Sequence, residues 1–374
     1  DCDATSTVSV ALHVPTGLHS MCHRTGARNL SRTMRRSGLR LAAARAADIV
    51  VVGAAVTDQI AYVPRLPSPG ETLLGSAYVA GFGGKGANQA VQASRLGSTV
   101  TFIGRVGNDA MGQQTLENFD ENGVGRTHVG VDAELATGVA PIMVSNCGDN
   151  SIVVILGANR RLTEAHVEDA RGAIAASKLV VCQLEVELAT TAAALRVAHE
   201  EGVPTLLNPA PALPLGVLRD AGLLDFVDIL APNETEAALL LGEEAGAASD
   251  VVGTAAGAER VARRLLDEVG NASAVVLTLG KRGALVALRG EKSITVPTGP
   301  ETPIDTSGAG DSFIGTIAHC ITTHGMDMGD AARHASLVAS ESVAIRGTQS
   351  SFPKALQEPL DESYRHFPDL GMYH

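Results

Sequence analysis

Short apolar segments alternate with amphipathic ones along most of the chain. The first strand-sized segment runs from Asp48 to Gly53. Apolar runs further along predict strands over 178–184, 203–207, 227–231 and 274–279. Amphipathic segments predict helices over 163–177 and 189–201, and a long helical region that ends near Val269. Apolar strands separated by amphipathic helices predict an α/β fold, in which helices flank both faces of a central, mostly parallel sheet.

Two stretches of short alternating strands interrupt this pattern, around 71–82 and 139–156. Small strands inserted between α/β units suggest a lid that covers a site, formed from about 59–82 and 139–156. Residues 284–288 and 293–296, on either side of the polar turn 289–292, predict a hairpin. The chain shows no internal repeat and no long linker, so residues 48–374 are predicted to form one domain with a β lid.

The first 47 residues differ in charge from the rest of the chain. They contain seven Arg and only two acidic residues, a net charge of +5, which leaves −17 to the remainder of a chain whose total is −12. They are also rich in Ser and Thr and lack the hydrophobic run of a secretory signal. This composition predicts a disordered basic extension that resembles a transit peptide, and hence a plastid or mitochondrial protein. The alternative is an extension ahead of a true start at Met21 or Met34, with a cytoplasmic protein.

The rest of the composition excludes several classes of protein. The net negative charge of residues 48–374 argues against nucleic-acid binding. The longest apolar stretches are strand-sized, so no membrane span is predicted. The five cysteines are scattered, odd in number and without CxxC spacing, which argues against a disulfide framework or a structural zinc site.

Residues 305–311, Asp-Thr-Ser-Gly-Ala-Gly-Asp, carry the most specific chemistry in the chain, because a predicted helix over 312–318 follows them directly. A helix start offers unpaired N–H groups and the positive end of the macrodipole, which suit a transferring phosphate. The glycines allow close backbone approach, and Asp311 lies within reach of an attacking hydroxyl. This combination is what phosphoryl transfer to an alcohol needs. The alternative is a Gly-rich turn with an Asp at a helix start, where Asp is favoured anyway.

A second glycine-rich segment, residues 81–90, reads Gly-Phe-Gly-Gly-Lys-Gly-Ala-Asn-Gln-Ala. It is not a Walker A loop, because Gly86 follows Lys85 where that motif has Ser or Thr. Lys85 and Asn88 can donate hydrogen bonds to sugar hydroxyls. The alternative is a purely structural turn.

Together these two segments resemble the signature regions of the PfkB carbohydrate kinases, and the resemblance extends from about residue 48 to about 355. Further matches follow in order at 69–72, 183–185, 208–212, 232–237, 278–283 and 347–351. The resemblance implies a ribokinase-like fold and ATP-dependent phosphorylation of D-ribose at its 5-hydroxyl, which gives D-ribose 5-phosphate and ADP. It also implies Mg²⁺ with ATP, a K⁺ ion, and a homodimer formed through the lid, whose open sheet edges invite association.

The resemblance also implies a role for each matching residue. Asp311 would be the general base, and the amides of Gly308, Ala309 and Gly310 would form the anion hole. Together with Asp311, the residues expected to bind ribose are Asp58, Gly84, Lys85, Gly86, Asn88 and Glu185. Those expected to bind the nucleotide are Asn208, Asn233, Thr278, Gly280, Lys281, Gly283 and Gly310.

Two ion sites are implied in the same way. Asn233 and Glu236 would order Mg²⁺, partly through water, although an NxxE pair is also typical of a helix N-cap with its capping-box partner. Both roles can hold at once. The K⁺ site would comprise Asp305, Ser307, Ser342, Ile345, Gly347 and Ser351.

One position departs from the family pattern. Val56 stands where an Asn is usual, two residues before Asp58. A lost amide would weaken one contact to a sugar hydroxyl by about 1–3 kcal/mol. This leaves open a kinase for another sugar or nucleoside, such as 2-deoxyribose, fructose or adenosine. A non-catalytic sugar sensor is the other alternative, but the chain keeps the Asp, the glycines and the NxxE pair that a sensor would have lost.

Overall fold

The computed structural model describes residues 47–147, 150–243 and 252–356. The predicted N-terminal extension, residues 1–46, lies outside the described residues, as does the segment that follows residue 356.

Nine strands form a large sheet with the order β13-β12-β11-β10-β9-β8-β1-β4-β5, numbered in chain order. Within the described residues, the antiparallel pairs of this sheet are β11–β12 and β12–β13 and the other pairs are parallel, so the predicted mostly parallel sheet and the predicted hairpin are both confirmed. The strands are β1 Ile49–Val52, β4 Val100–Gly107, β5 Val124–Asp132, β8 Leu179–Cys182, β9 Thr205–Leu207, β10 Ile229–Leu230, β11 Ala274–Thr278, β12 Ala284–Leu288 and β13 Ile294–Val296.

Helices cover both faces of this sheet, because successive side chains of each strand point to opposite faces and both sets are apolar. In β1, Val50 and Val52 enter one hydrophobic core, whereas Ile49 and Val51 enter the other. The first core is closed by α3 Glu164–Asp169, α4 Arg171–Ala175, α5 Leu188–Glu200, α6 Leu215–Asp220, α7 Glu234–Leu240 and α8 Ala255–Glu268. The second core is closed by α1 Lys85–Arg95, α2 Ala110–Glu121, α9 Ala309–Thr323 and α10 Met328–Val343.

The structure differs from the sequence-based prediction in three segments. The helix predicted over 163–177 is divided at Ala170, whose ψ of 4° departs from helical geometry, into α3 and α4. The predicted long helical region consists of α7 and α8 within the described residues, and 244–251 lie outside them. The unit β4-α2-β5 was not predicted; it continues the parallel sheet beyond β1.

A second, four-stranded sheet is made of β2 Val56–Val63, β3 Ala77–Gly83, β6 Gly138–Ser145 and β7 Asn150–Ile152, in the order β3-β2-β6-β7. It confirms the small predicted sheet, although its first strand begins at Val56 and not near residue 59. Tyr78, Val79 and the run Ile152–Ile155 leave apolar side chains exposed on it. Among the described helices, none is long and apolar enough to cross a bilayer.

Candidate active site

The predicted site residues converge because many of them follow parallel strands that end at the same edge of the large sheet. Glu185 follows β8, Asn208 follows β9, Asn233 follows β10, and Thr278 ends β11. In open α/β sheets the carboxyl ends of the strands form the usual binding crevice. Polar residues that are distant in sequence therefore lie together at the carboxyl-end edge of the large sheet.

Helix α9 begins at this edge, and Gly308 is its N-cap residue with a left-handed φ of 73°. A Cβ at this position would lie 2.7 Å from Thr348 Cγ2, so both the backbone and the space require glycine. The amide of Ala309 donates to the Thr306 carbonyl at 3.3 Å, and that of Ser312 donates to the Gly308 carbonyl at 2.8 Å. The amides of Gly310 and Asp311 have no acceptor within the described part of the chain. These two N–H groups are therefore the ones open to an anion.

Asp311 is buried in the first turn of α9, and α1 holds both of its carboxylate oxygens. Gln89 Nε2 donates to Oδ1 at 2.9 Å, and Asn88 Nδ2 donates to Oδ2 at 2.8 Å. The Asn88 side chain, predicted to bind sugar, thus contacts the predicted base directly. Because a side-chain amide carries two N–H groups, this bond leaves Asn88 one further donor.

Asp58, Lys85 and Glu185 make up a charged cluster beside Asp311. Glu185 Oε2 accepts a hydrogen bond from the Lys85 backbone N–H at 2.8 Å. Burial raises the pKa of Glu185 to about 7 and that of Asp58 to about 6. Burial lowers the pKa of Lys85, but the surrounding carboxylates of Asp311, Glu185, Glu236 and Asp58 outweigh it, so the pKa is raised and the ammonium stays charged.

Two glycines allow this cluster to pack closely. Gly84, the N-cap of α1, has a φ of 88°, and a Cβ there would lie 2.6 Å from the Ala54 carbonyl oxygen. A Cβ on Gly83 would lie 2.2 Å from Asp58 Oδ1. The glycine-rich segment is thus a structural turn as well as part of the site.

Asn233 and Glu236 form a complete capping box at the start of α7. Asn233 Oδ1 accepts from the Glu236 N–H, and the Glu236 carboxylate accepts from the backbone and side-chain N–H groups of Asn233, all at 2.8 Å. The helix-cap interpretation of the NxxE pair is therefore confirmed. Burial raises the pKa of Glu236, whose side chain lines a cavity.

A carboxylate and an amide oxygen are donors that suit a hard divalent cation. No group of three or more His, Cys, Asp or Glu side chains that could hold a metal ion occurs in the described ranges. A Mg²⁺ ion at Glu236 would therefore take its remaining ligands from water and from substrate phosphates, as Mg²⁺ usually does.

Two cavities adjoin at this edge of the sheet. The smaller has a volume of about 170 Å³, and Lys85, Asn208, Glu236, Gly308, Asp311 and Ile314 are among the residues that line it. The larger has a volume of about 450 Å³, within the range of small-molecule sites. Asn233, Thr278 and Gly310 line both cavities. The larger cavity is also lined by the predicted nucleotide residues Gly280, Lys281 and Gly283.

The segment predicted to hold K⁺ folds back beside the start of α9. Asp305 accepts hydrogen bonds from the backbone N–H groups of Ser307 and Gly347, both at 2.9 Å. Burial raises the pKa of Asp305, but these bonds and the charge of Arg346 lower it below its ordinary value. Ser342 and Ser351 are buried, and Ile345 is exposed. Because an isoleucine side chain has no ligand atom, only the Ile345 carbonyl could bind a cation.

Sequence reasoning missed two sets of residues. One is a group of buried amides that reach Asp311 directly, through Gln89 or through Asn88: Gln89, Gln183, Gln349 and Asn118. Gln89 and Gln183 lie inside the segments that carried the resemblance, and this was the available signal. The other is the far wall of the larger cavity, formed by Thr298, Gly299, Glu301, Pro303, Ser336, Ala339, Ser340 and Val343.

The larger cavity meets the smaller one at Gly310 in the first turn of α9, and the Asp311 carboxylate lines the smaller one. This arrangement is that of an enzyme that transfers a phosphoryl group between two bound substrates. Residues 46–355 match the family model of the pfkB family carbohydrate kinases. The chain therefore belongs to the pfkB family of carbohydrate kinases.

Individual members of the family resemble the chain over most of its length. It is 38% identical to ribokinase of Mus musculus, over 84% of this chain and 94% of the relative. It is also 38% identical to deoxyribokinase of Salmonella typhi, over 83% of this chain and 97% of that one. The solved structure of Arabidopsis thaliana ribokinase complexed with ribose and ATP has a TM-score of 0.73 and 30% identity, covering 82% of this chain and 96% of the other.

Proposed function

We propose that the chain phosphorylates D-ribose at its 5-hydroxyl, consuming ATP and releasing D-ribose 5-phosphate and ADP. The observation that carries the proposal is the junction of the two cavities at Gly310, whose open amide lies next in the chain to Asp311, which lines the smaller cavity. The carboxylates of Asp58 and Glu185, which suit a polyol, lie beside Asp311. The larger cavity, which has the size for a small molecule such as a nucleotide, adjoins the smaller one. The similarity to ribokinases over most of the chain supports ribose as the acceptor.

The chemistry follows from the charges at the junction. Asp311 accepts the proton of the 5-hydroxyl as the sugar oxygen bonds to the γ-phosphorus, and the bond from that phosphorus to the bridging oxygen breaks, so that ADP leaves with the electron pair. The open amides of Gly310 and Asp311, with the positive end of α9, stabilise the negative charge of the transferring group. The Lys85 ammonium supplies positive charge among the carboxylates of the site, and the Lys85 backbone N–H holds Glu185 by a hydrogen bond of 2.8 Å. Closure of the small sheet over the sugar would exclude water as a competing acceptor.

Two ions belong to the proposal. Mg²⁺ bound with ATP neutralises phosphate charge, and Asn233 and Glu236 are the residues that would hold it, partly through water. K⁺ would be held by the carboxylate of Asp305 with the neighbouring Ser307, Ser342, Ile345, Gly347 and Ser351, mostly through backbone carbonyls. Both ions would stabilise negative charge at the start of α9 or beside it.

Two further properties are proposed for the whole protein. A homodimer would bury the exposed apolar side chains of the small sheet.

Residues 1–47 would direct the protein to a plastid or mitochondrion because they are basic and rich in Ser and Thr. Fusing them to a fluorescent reporter and following its location in cells with both organelles tests this; a diffuse cytosolic signal would contradict it.

The deciding experiment measures ADP release by the full chain with Mg-ATP and ribose, 2-deoxyribose, fructose or adenosine, each in K⁺ and in Na⁺. We expect the highest kcat/KM with ribose and stimulation by K⁺. Turnover confined to another acceptor would refute ribose as the substrate. Absence of turnover with all four would support the sensor alternative.

A second acceptor, 2-deoxyribose, has one specific observation in its favour. Val56 is buried where the family usually has Asn, and it offers no polar atom to a hydroxyl. The similarity to deoxyribokinase is as high as that to mouse ribokinase. If Val56→Asn raises kcat/KM for ribose and leaves that for 2-deoxyribose unchanged, position 56 sets the preference between the two sugars.

A further inference from the structure

The buried amides around Asp311 form one continuous chain of hydrogen bonds. Asn118 Nδ2 donates to Gln349 Oε1 at 2.9 Å, and Gln349 Nε2 donates to Asn88 Oδ1 at 2.9 Å. Asn88 then donates to Asp311 Oδ2 at 2.8 Å. Each amide donates toward the carboxylate and accepts from the amide behind it.

A second branch reaches the other carboxylate oxygen. Gln183 Nε2 donates to Gln89 Oε1 at 2.6 Å, and Gln89 Nε2 donates both to Asp311 Oδ1 at 2.9 Å and to Asn208 Oδ1 at 3.1 Å. Gln89 is 1% exposed and Gln183 is fully buried, so water cannot replace these bonds. The ionised carboxylate sets the direction of both branches, because it can accept hydrogen bonds but cannot donate them.

We infer that Gln89 and Gln349 are positioning residues for the general base, Gln89 by direct contact and Gln349 through Asn88. This inference rests on the proposed function. One donor on each oxygen restricts the rotation of the carboxylate, which lines the smaller cavity and so presents its remaining lone pairs to the incoming hydroxyl. Loss of either branch would let the carboxylate rotate, while Asn88 keeps its bond to Asp311 and Asn208 keeps its bond to the Ala231 carbonyl.

Gln349 also makes the orientation of the base depend on a distant segment. The Arg95 guanidinium donates to the Gln349 carbonyl and, at 3.2 Å, to the Phe352 carbonyl, and Gln92 Nε2 donates to the Pro353 carbonyl at 3.1 Å. In the same segment Thr348 Oγ1 donates to Asp58 Oδ2 at 3.3 Å. Residues 348–353 therefore contact the sugar-side carboxylate and the relay to the base together, and the base is fully oriented only when this segment is packed against α1.

Two volume-conserving variants of the relay and one buried control variant test the inference. Gln89→Met and Gln349→Met remove the donors with little change in volume. Thr322→Val removes a buried hydroxyl near the far end of α9, which donates to the Ala318 carbonyl at 2.7 Å and contacts neither Asp311 nor the amides of the relay. We expect kcat to fall about 10- to 100-fold in the first two variants, with KM for sugar and for ATP within about threefold of wild type. Thr322→Val is expected to lower Tm but to keep kcat within about threefold.

A double-mutant cycle distinguishes positioning from a general loss of packing. In an Asp311→Asn background, Gln89→Met should cause no further loss of kcat, since it acts only through the base. Equal losses of kcat in the Thr322 and Gln89 variants, or additive losses in the cycle, would overturn the inference. If Gln89→Met does not fold, the same cycle with Gln349→Met decides. A wild-type protein without sugar kinase activity would instead refute the proposed function, so the two failures are distinguishable.

Discussion

At the scale of single residues, the role of Asp311 depends on its position between an open helix start and two amide donors. Asp311→Asn keeps the size of the side chain but removes the proton acceptor. We expect kcat to fall about 10²- to 10⁴-fold while ribose affinity changes little. Single-turnover rates and calorimetric titration with ribose would measure the two effects. Near-normal turnover would remove Asp311 from the role of general base.

The carboxylates of the sugar side predict a pH dependence. Burial raises the pKa of Glu185 to about 7 and that of Asp58 to about 6, so Glu185 and then Asp58 take up a proton as the pH falls. Ionised carboxylates accept hydroxyl hydrogen bonds more strongly than neutral ones do, by about 1 kcal/mol each. We therefore expect the Kd for ribose to rise about fivefold or more between pH 8 and pH 5.5, measured calorimetrically without ATP.

Glu185→Gln provides the control for this pH dependence. The amide cannot ionise, so the variant should bind ribose more weakly at pH 8 and lose the part of the pH dependence that lies near pH 7. An affinity for ribose that is independent of pH in the wild-type protein would contradict the prediction.

At the scale of elements, both the stability of the fold and the proposed activity depend on the start of α9. Gly308→Ala imposes a left-handed φ on a residue with a side chain, which costs about 1–2 kcal/mol, and it also pushes Thr348 and Phe352 away. Gly325, beyond the other end of the same helix, has a φ of 62° with open space around its missing Cβ. Gly325→Ala therefore measures the free-energy cost of a left-handed φ without a steric clash.

We expect both glycine variants to lower the free energy of unfolding, Gly308→Ala by the larger amount, and only Gly308→Ala to lower kcat. Denaturant titration and steady-state kinetics would provide the two measurements. Equal stabilities, or unchanged turnover in Gly308→Ala, would show that the helix start tolerates a side chain.

At the scale of the whole molecule, the small sheet exposes apolar side chains that no contact within the described residues covers. Tyr78 on β3 is 64% exposed and Ile152 on β7 is 53% exposed. If a second copy covers this sheet, Tyr78→Lys combined with Ile152→Lys should shift a dimer to a monomer in sedimentation velocity at micromolar concentrations. Val217→Lys, which alters an exposed apolar residue on α6, should leave the dimer intact. A wild-type protein that sediments as a monomer would refute the homodimer.

The fold was largely predictable because its signals are local. The apolar runs of β1, β8, β9, β10 and β11 and the amphipathic helices between them are legible in neighbouring residues. The unit β4-α2-β5 was not predicted, and the break at Ala170 lies inside a segment whose pattern reads as one helix. For the long helical region only α7 and α8 can be compared, since 244–251 lie outside the described residues.

By itself, the sequence determined the class of fold, the helix start at 308–311, the capping box at Asn233 and Glu236, and the family. All of these depend on residue types within a few positions of one another. Only the tertiary structure decided which side chains hold Asp311, because Gln89 and Asp311 are 222 positions apart and Gln349 and Asn88 are 261 apart. Such contacts arise when α1, α9 and the segment 348–353 pack around one buried carboxylate. No local pattern encodes that packing, since an amide in a helix looks the same in sequence whether it faces solvent or the base.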